Sequence, residues 1–181
     1  MPQTQTQFVK RIIVPVARPE TAVHMLELAT SLADPENGQV LALVVALNDS
    51  EQTSKINDAI APIVQSYVDA GHKVVLLNEM ATSISRGILD AARDNNADLI
   101  ILGVQKSDRR QVELGTVVEN VIEAAPCDVL IYRLSDSPDY SRIVVPVDGT
   151  PYATIALNLG VLLAKQHHFP LCPLYIQHDY Q

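Results

Sequence analysis

Five short runs rich in Val, Ile and Leu recur through the first 134 residues, separated by longer amphipathic stretches. The runs are residues 12–16, 40–46, 74–77, 99–102 and 129–132. None alternates cleanly between apolar and polar residues. Strands that are apolar on both sides belong to a parallel sheet covered on both faces. The stretches between them carry helical stripes. Residues 20–32 place Val23, Leu26, Ala29 and Leu32 on one face. Ile56, Ile60, Val64 and Val68 form a second stripe, Ile84, Ile88, Ala91 and Ala92 a third, and Val117, Val118, Val121 and Ile122 a fourth. A turn cluster at residues 34–38 follows the first stripe, and Ala70-Gly71 closes the second. Strands and helices alternating at this length predict an α/β fold with a doubly wound parallel sheet.

The chain also begins twice. Residues 11–33, RIIVPVARPETAVHMLELATSLA, align without a gap on residues 142–164, RIVVPVDGTPYATIALNLGVLLA, at an offset of 131. The register holds further, with 40–45 lying over 171–176. This is an internal repeat of domain length. It predicts a polar tail at 1–9, a complete domain at 10–134, a linker at 135–141, and the first third of a second domain at 142–181. Three elements enclose no core of their own, so the second copy is expected to leave apolar side chains in need of cover.

Hydrophobic residues make up 48% of the chain, enough for a sizeable core. The longest apolar run, 40–47, is too short to span a bilayer. The first residues, MPQTQTQ, lack the apolar segment of a signal peptide, and a cytoplasmic location is expected. A net charge of −8 argues against nucleic acid as a partner. Cys127 and Cys172 both sit in apolar runs and read as buried, reduced thiols. His24, His72, His167, His168 and His178 lack ligand spacing, so no metal site is expected.

Residues 98–134 hold the candidate site. An apolar run stops at Gly103, a basic loop carries Lys106, Arg109 and Arg110, and Gly115-Thr116 opens a helix-like segment. A helix start offers free N–H groups and the positive end of a dipole, both suited to phosphate. Thr116-Val117-Val118-Glu119 reads as a capping box, with Thr116 as the cap. The bland reading is a solvated basic loop before an ordinary helix. No phosphate-binding GxxxxGK[ST] loop and no GxSxG elbow occurs, so no catalytic residue is assigned and no enzyme is expected.

These residues resemble the universal stress protein family. Gly103, Gly115 and Thr116 match its glycine loop, and Ala125-Pro126-Cys127 through Val129 and Leu130 to Arg133 match the strand beyond it. The resemblance covers 10–134 and restarts at 142. It implies a five-stranded sheet of order 3-2-1-4-5, of the adenine-nucleotide alpha-hydrolase-like kind. That order sets the ends of the first and fourth strands, at Ala17 and Gly103, side by side where such sheets bind ligands. By resemblance, Gly103, Gly115, Thr116 and Val117 would line phosphates. Pro15, Val16, Ala17 and Val44 would lie near the nucleoside, and Lys106, Arg109 and Arg110 could meet phosphate or a partner. The family commonly associates through its fifth strand, which implies a homodimer or pairing with the second repeat. A narrower resemblance, in VPVARPE, SRGILDAARDNNADLIILG and EAAPCDVLIYR, is to the cytoplasmic tails of cation:proton antiporters and amino-acid permeases.

The departures from the family pattern matter. The first-strand Asp that contacts the nucleoside is Ala17 here, and it reappears as Asp148-Gly149-Thr150 in the second copy. The second loop Gly is Lys106, and one residue is missing before Gly115. The expected function is a non-enzymatic regulatory or nucleotide-sensing module that requires no cofactor, binds ATP or another adenine nucleotide weakly, and forms a transporter's tail or partner. The alternatives are a stand-alone ATP-binding stress protein and a weak nucleotide-hydrolysing enzyme.

Overall fold

A computed structural model describes residues 9–47, 50–104, 115–133 and 141–175. The chain divides into two compact units. The first carries strand β1 (Arg11–Pro15), helix α1 (Pro19–Leu32), β2 (Gln39–Ala46), α2 (Ser50–Asp69), β3 (Val74–Met80), α3 (Ile84–Asp94), β4 (Leu99–Val104), α4 (Thr116–Ala124) and β5 (Asp128–Arg133). Its five strands are all parallel, in the order β3-β2-β1-β4-β5. Each run foreseen as a strand is one, with ends shifted by a few residues. The first eight residues, most of the linker and the basic loop with Lys106, Arg109 and Arg110 lie outside the described residues. Val9, assigned to the tail from sequence, bridges to Ala33.

The central strand explains the layering. Ile12, Ile13 and Val14 are all fully buried, though neighbours on a strand point to opposite faces. Both faces therefore carry helices. Ile13, Leu41, Leu43, Ile100 and Leu102 form one cluster with Ile88, Leu89, Ala91 and Ala92 of α3 and with Val118 and Val121 of α4. On the other face α1 packs on β1, β2 and β4, and α2 on β2 and β3. The buried stripe of α1 is Ala22, Met25, Leu26, Ala29 and Leu32. Val23, placed on that stripe from sequence, is instead 41% exposed. It sits about 100° round the helix from Ala22, past the edge of the buried arc. Val68, at the end of the second stripe, is exposed too, while Ile60 and Val64 are buried.

Local chemistry fixes the ends of the elements. Helix α2 stops at Gly71, whose φ is +91°. The Gly71 N–H donates to Val68 O and the His72 N–H to Tyr67 O, the two bonds of a Schellman ending. After α1, the Asp34 carboxylate accepts from the N–H groups of Asn37 and Glu36, both at 2.9 Å. Those bonds hold its carboxyl below the usual carboxylate range. At the start of β1, the Arg11 N–H donates to Asp98 Oδ2 at 2.8 Å and its guanidinium to Asn95 O at 2.7 Å, tying β1 to the α3–β4 turn.

The second unit contains β6 (Ile143–Val147), α5 (Pro151–His167) and β7 (Leu171–Tyr175), with the two strands parallel. Its register is that of the first unit shifted by 131, Val144 facing Cys172 as Ile13 faces Leu41. Thr150 caps α5, its Oγ1 accepting from the Ala153 N–H at 3.3 Å. Asp148 Oδ1 accepts from both the N–H and the hydroxyl of Thr150, at 3.0 and 2.7 Å. Helix α5 covers one face of the pair, with Gly160 in place of a larger residue because a Cβ there would meet Val145 Cγ2 at 2.6 Å. Cys172, expected to be buried, is exposed because it lies on the other face. Among the described residues, no helix is long and apolar enough to cross a membrane.

The contact of α3 with the sheet yields a direct test. Ile88 is 1% exposed and sits in the cluster around Ile13 and Ile100. Ile88→Ala is expected to lower stability by roughly 2–5 kcal/mol, read as a fall in the urea midpoint at unchanged slope.

Candidate functional site at the sheet reversal

The strand order reverses between β1 and β4, and there the pairing is short. The β1–β2 ladder runs to Pro15↔Leu43 and the β4–β5 ladder to Val104↔Arg133. Between β1 and β4 the ladder ends at Ile13↔Ile100, although both strands run on. The Val16 N–H turns toward β2, donating to Leu43 O at 2.8 Å. The carboxyl ends of β1 and β4 are thus free of each other, which makes the crevice typical of a switch point.

The residues singled out from sequence divide sharply here. Val16 and Val44 are buried, Pro15 is half-buried, and Ala17, Gly103, Gly115, Thr116 and Val117 are exposed. The exposed group is open to solvent, whereas Val16 and Val44 are packed into the core. Asn78 pairs with Val44 at the adjoining end of β3.

The two glycines have different physical reasons. Gly115 has φ +77° and ψ 150° and is itself the N-cap of α4, with nothing within 4 Å of where a Cβ would stand. Its backbone conformation calls for glycine. This corrects the capping box read from sequence. Thr116 is the first residue inside the helix, so its side chain is not the cap, and no side-chain cap bond forms. The positive φ of Gly115 starts the helix one residue earlier than a Thr cap would. Gly103 is a packing glycine. A Cβ there would meet Met25 Sδ at 2.6 Å. Met25, 3% exposed, thus lies from α1 against the end of β4 and narrows the crevice from below. Sequence reasoning missed Met25. Its spacing of four from Ala29 was the available signal.

Electrostatically, the described part of the site is sparse. The charge in the first turn of α4 is Glu119, which already occupies the positive end of the helix dipole. An incoming phosphate competes with it. The basic residues that would offset it, Lys106, Arg109 and Arg110, lie outside the described residues. Among the described residues no three His, Cys, Asp or Glu side chains gather as a metal site. A notch of about 60 Å³ exists elsewhere, lined by Thr30, Asp34, His72 and Lys73. It lies at the amino ends of β2 and β3, away from the crevice. Cys127, just before β5, is partly buried, and burial pushes its thiol up to about 11 with help from Asp128 and Asp98.

The sheet order and the open reversal point define a doubly wound α/β protein with a ligand-type crevice. The universal stress protein family model matches residues 9–133, and the chain belongs to that family. It is 29% identical over 161 residues to the Na(+)/H(+) antiporter NhaS5 of Synechocystis sp. (strain ATCC 27184 / PCC 6803 / Kazusa), a match covering 81% of this chain and 22% of the antiporter. The chain thus spans about a fifth of that relative's length. A universal stress protein from Archaeoglobus fulgidus DSM 4304 superposes over 97% of this chain and 68% of its own, with a TM-score of 0.66 and 18% identity. The Archaeoglobus fulgidus universal stress protein in complex with dAMP matches 69% of this chain and 98% of its own, at TM-score 0.54 and 19% identity. A universal stress protein in complex with cAMP matches 71% of this chain and 100% of its own, at TM-score 0.54 and 19% identity. At these identities the structural likeness is one of fold.

Two measurements follow from this geometry. Gly103→Ala is expected to cost about 1–3 kcal/mol through overpacking against Met25. Adding Met25→Ala should recover part of that loss, so the double-mutant cycle by urea unfolding gives a coupling well away from zero. For Cys127, the folded protein keeps its thiol proton at pH values where the unfolded chain, with a thiol near 9, has lost it. Stability from this group is complete below about 9 and falls as pH rises toward about 11. Wild type should therefore lose stability across that range more steeply than Cys127→Ala.

Proposed function

We propose that this chain is a non-enzymatic regulatory module that senses an adenine nucleotide with weak affinity and acts on a cation:proton antiporter. The observation that carries the transporter reading is the 29% identity to a Na(+)/H(+) antiporter over most of this chain. The nucleotide reading is supported by the crevice at the reversal of β1 and β4, with the N-terminus of α4 open beside Gly115. Structural neighbours of the same fold are complexes with dAMP and cAMP. The non-enzymatic reading is supported by the motifs the sequence lacks. The sequence carries neither a GxxxxGK[ST] loop nor a GxSxG elbow. The module works inside the cytoplasm, held at the membrane by its transporter. The edge strand β5, with Ile131 37% exposed, is the surface for pairing with a second copy.

Affinity is the discriminating quantity. Ala17 stands where a carboxylate would accept hydrogen bonds from the nucleoside. A hydrogen bond to a charged group contributes about 1.5–3 kcal/mol. Calorimetric titration with dAMP, cAMP and ATP should give dissociation constants weaker than micromolar, and Ala17→Asp should tighten them by about ten- to a hundredfold. Sub-micromolar ATP affinity in the wild type, or measurable turnover of ATP, would favour a stand-alone ATP protein or an enzyme instead.

A further inference from the structure

One polar atom of the first unit is buried without a partner. Among the described residues, Asn57 Oδ1 is shut off from solvent and accepts no hydrogen bond. An unpaired buried acceptor costs stability, so its retention calls for a reason. Helix α2 packs on β2 and β3. Asn57 precedes Ile60 by three residues and Val64 by seven, in the row that faces inward, and those two are 0% and 7% exposed. An aliphatic side chain would fit this row without the cost.

The position along α2 supplies the reason. The helix leads from the carboxyl end of β2 to the amino end of β3, so it runs antiparallel to both strands. From Asn57 to the helix end at Asp69 the rise is about 18 Å. From Val40 to Ala46 strand β2 extends about 20 Å. Asn57 therefore stands level with the carboxyl end of β2, the end of the sheet at which the crevice opens. Leu41 and Leu43 belong to the α3 cluster, so Val44 faces the other side, which α1 and α2 cover. Asn57 and Val44 thus share one face and one end of the sheet.

We infer that Asn57 is a specificity residue of the crevice, its Oδ1 accepting a hydrogen bond from the exocyclic amine of an adenine base. The inference rests on the nucleotide reading above and adds to it the group that selects the base. An acceptor needs a donor, which excludes the phosphate oxygens as its partner. The row that holds Asn57 is otherwise aliphatic, and Val44 on the strand it covers is 1% exposed. Such surroundings suit a flat ring with a donor on its edge better than a sugar with several hydroxyls to satisfy. Helix α4 packs with α3 on one face of the sheet and α2 lies on the other. A nucleotide whose phosphates sit at the start of α4 then extends its base across the crevice toward α2. Asn57 as a residue is half-buried, so a side-chain rotation brings its amide to a ligand without unfolding the helix.

The test is calorimetric titration of the full chain with AMP and with IMP, which carries a carbonyl where AMP carries the amine. The wild type should bind AMP tighter by about tenfold or more, since IMP sets acceptor against acceptor. Asn57→Leu and Asn57→Ala should bring the two nucleotides within about twofold of each other, mainly by weakening AMP. Urea unfolding without nucleotide gives an independent reading. Asn57→Leu removes an unpaired acceptor and should leave the midpoint at or above that of the wild type, with Asp58→Ala at the exposed neighbouring position measuring the share due to helix propensity. Lower midpoints for both Asn57 variants would mean that the amide serves the fold, and would overturn the inference. Equal binding of AMP and IMP by the wild type, or a preference for AMP that survives both variants, overturns it and leaves the nucleotide reading standing. Binding of neither nucleotide overturns both.

Discussion

Parallel strands that are apolar on both sides must be covered on both sides, and the rest of this structure follows from that requirement. Strand β1 states it most strongly, with Ile12, Ile13 and Val14 all fully buried. Burying such side chains contributes about 1.5–3 kcal/mol each, so a helix lost from either face costs several of these contributions together. Helices α1 and α2 cover one side, α3 and α4 the other. Crossovers that change sides must begin in opposite directions from the middle of the sheet. The strand order β3-β2-β1-β4-β5 and its reversal between β1 and β4 are the consequence. The crevice is therefore a by-product of the core, present before any ligand chemistry is considered.

The same requirement decides what was legible in the sequence. Buried runs of Val, Ile and Leu report strands directly, and every such run in the first unit is one. The β6–β7 pairs lie 131 residues after the β1–β2 pairs, in the same register. Positions that depend on a helix's rotation about its axis were harder. Val23 and Met25 are both apolar and two residues apart, yet Val23 is exposed and Met25 is buried. Only the packing of α1 on the sheet settles which of them faces inward. Cys172 misled for a related reason. Its apolar neighbours reported a strand correctly, but burial also needs a helix on that face, and among the described residues of the second unit α5 lies on the other.

At the candidate site the sequence marked the right region and blurred the reasons. Gly103 and Gly115 look alike as members of one glycine pattern. In the structure one admits Met25 Sδ and the other adopts a positive φ at the start of α4. A glycine that accommodates a methionine says nothing about phosphate. A glycine of positive φ at a helix start bears on it more directly, because the first-turn N–H groups have no partner within the helix. The capping box at Thr116 was a sequence signal that the backbone overrode, since a positive φ at Gly115 supplies the cap residue itself.

These distinctions bear on how a module of this kind works. The crevice is built by the fold, α4 starts at a glycine of positive φ, and Ala17 stands where the family pattern carries an Asp. In the second unit the carboxylate is present as Asp148, but Oδ1 is engaged by both the N–H and the hydroxyl of Thr150 as part of the cap of α5. A carboxylate that holds a helix start has one oxygen committed before a ligand arrives, and recruiting it would loosen that cap. For the sensor proposed above, weak affinity would let occupancy follow ligand concentration instead of saturating.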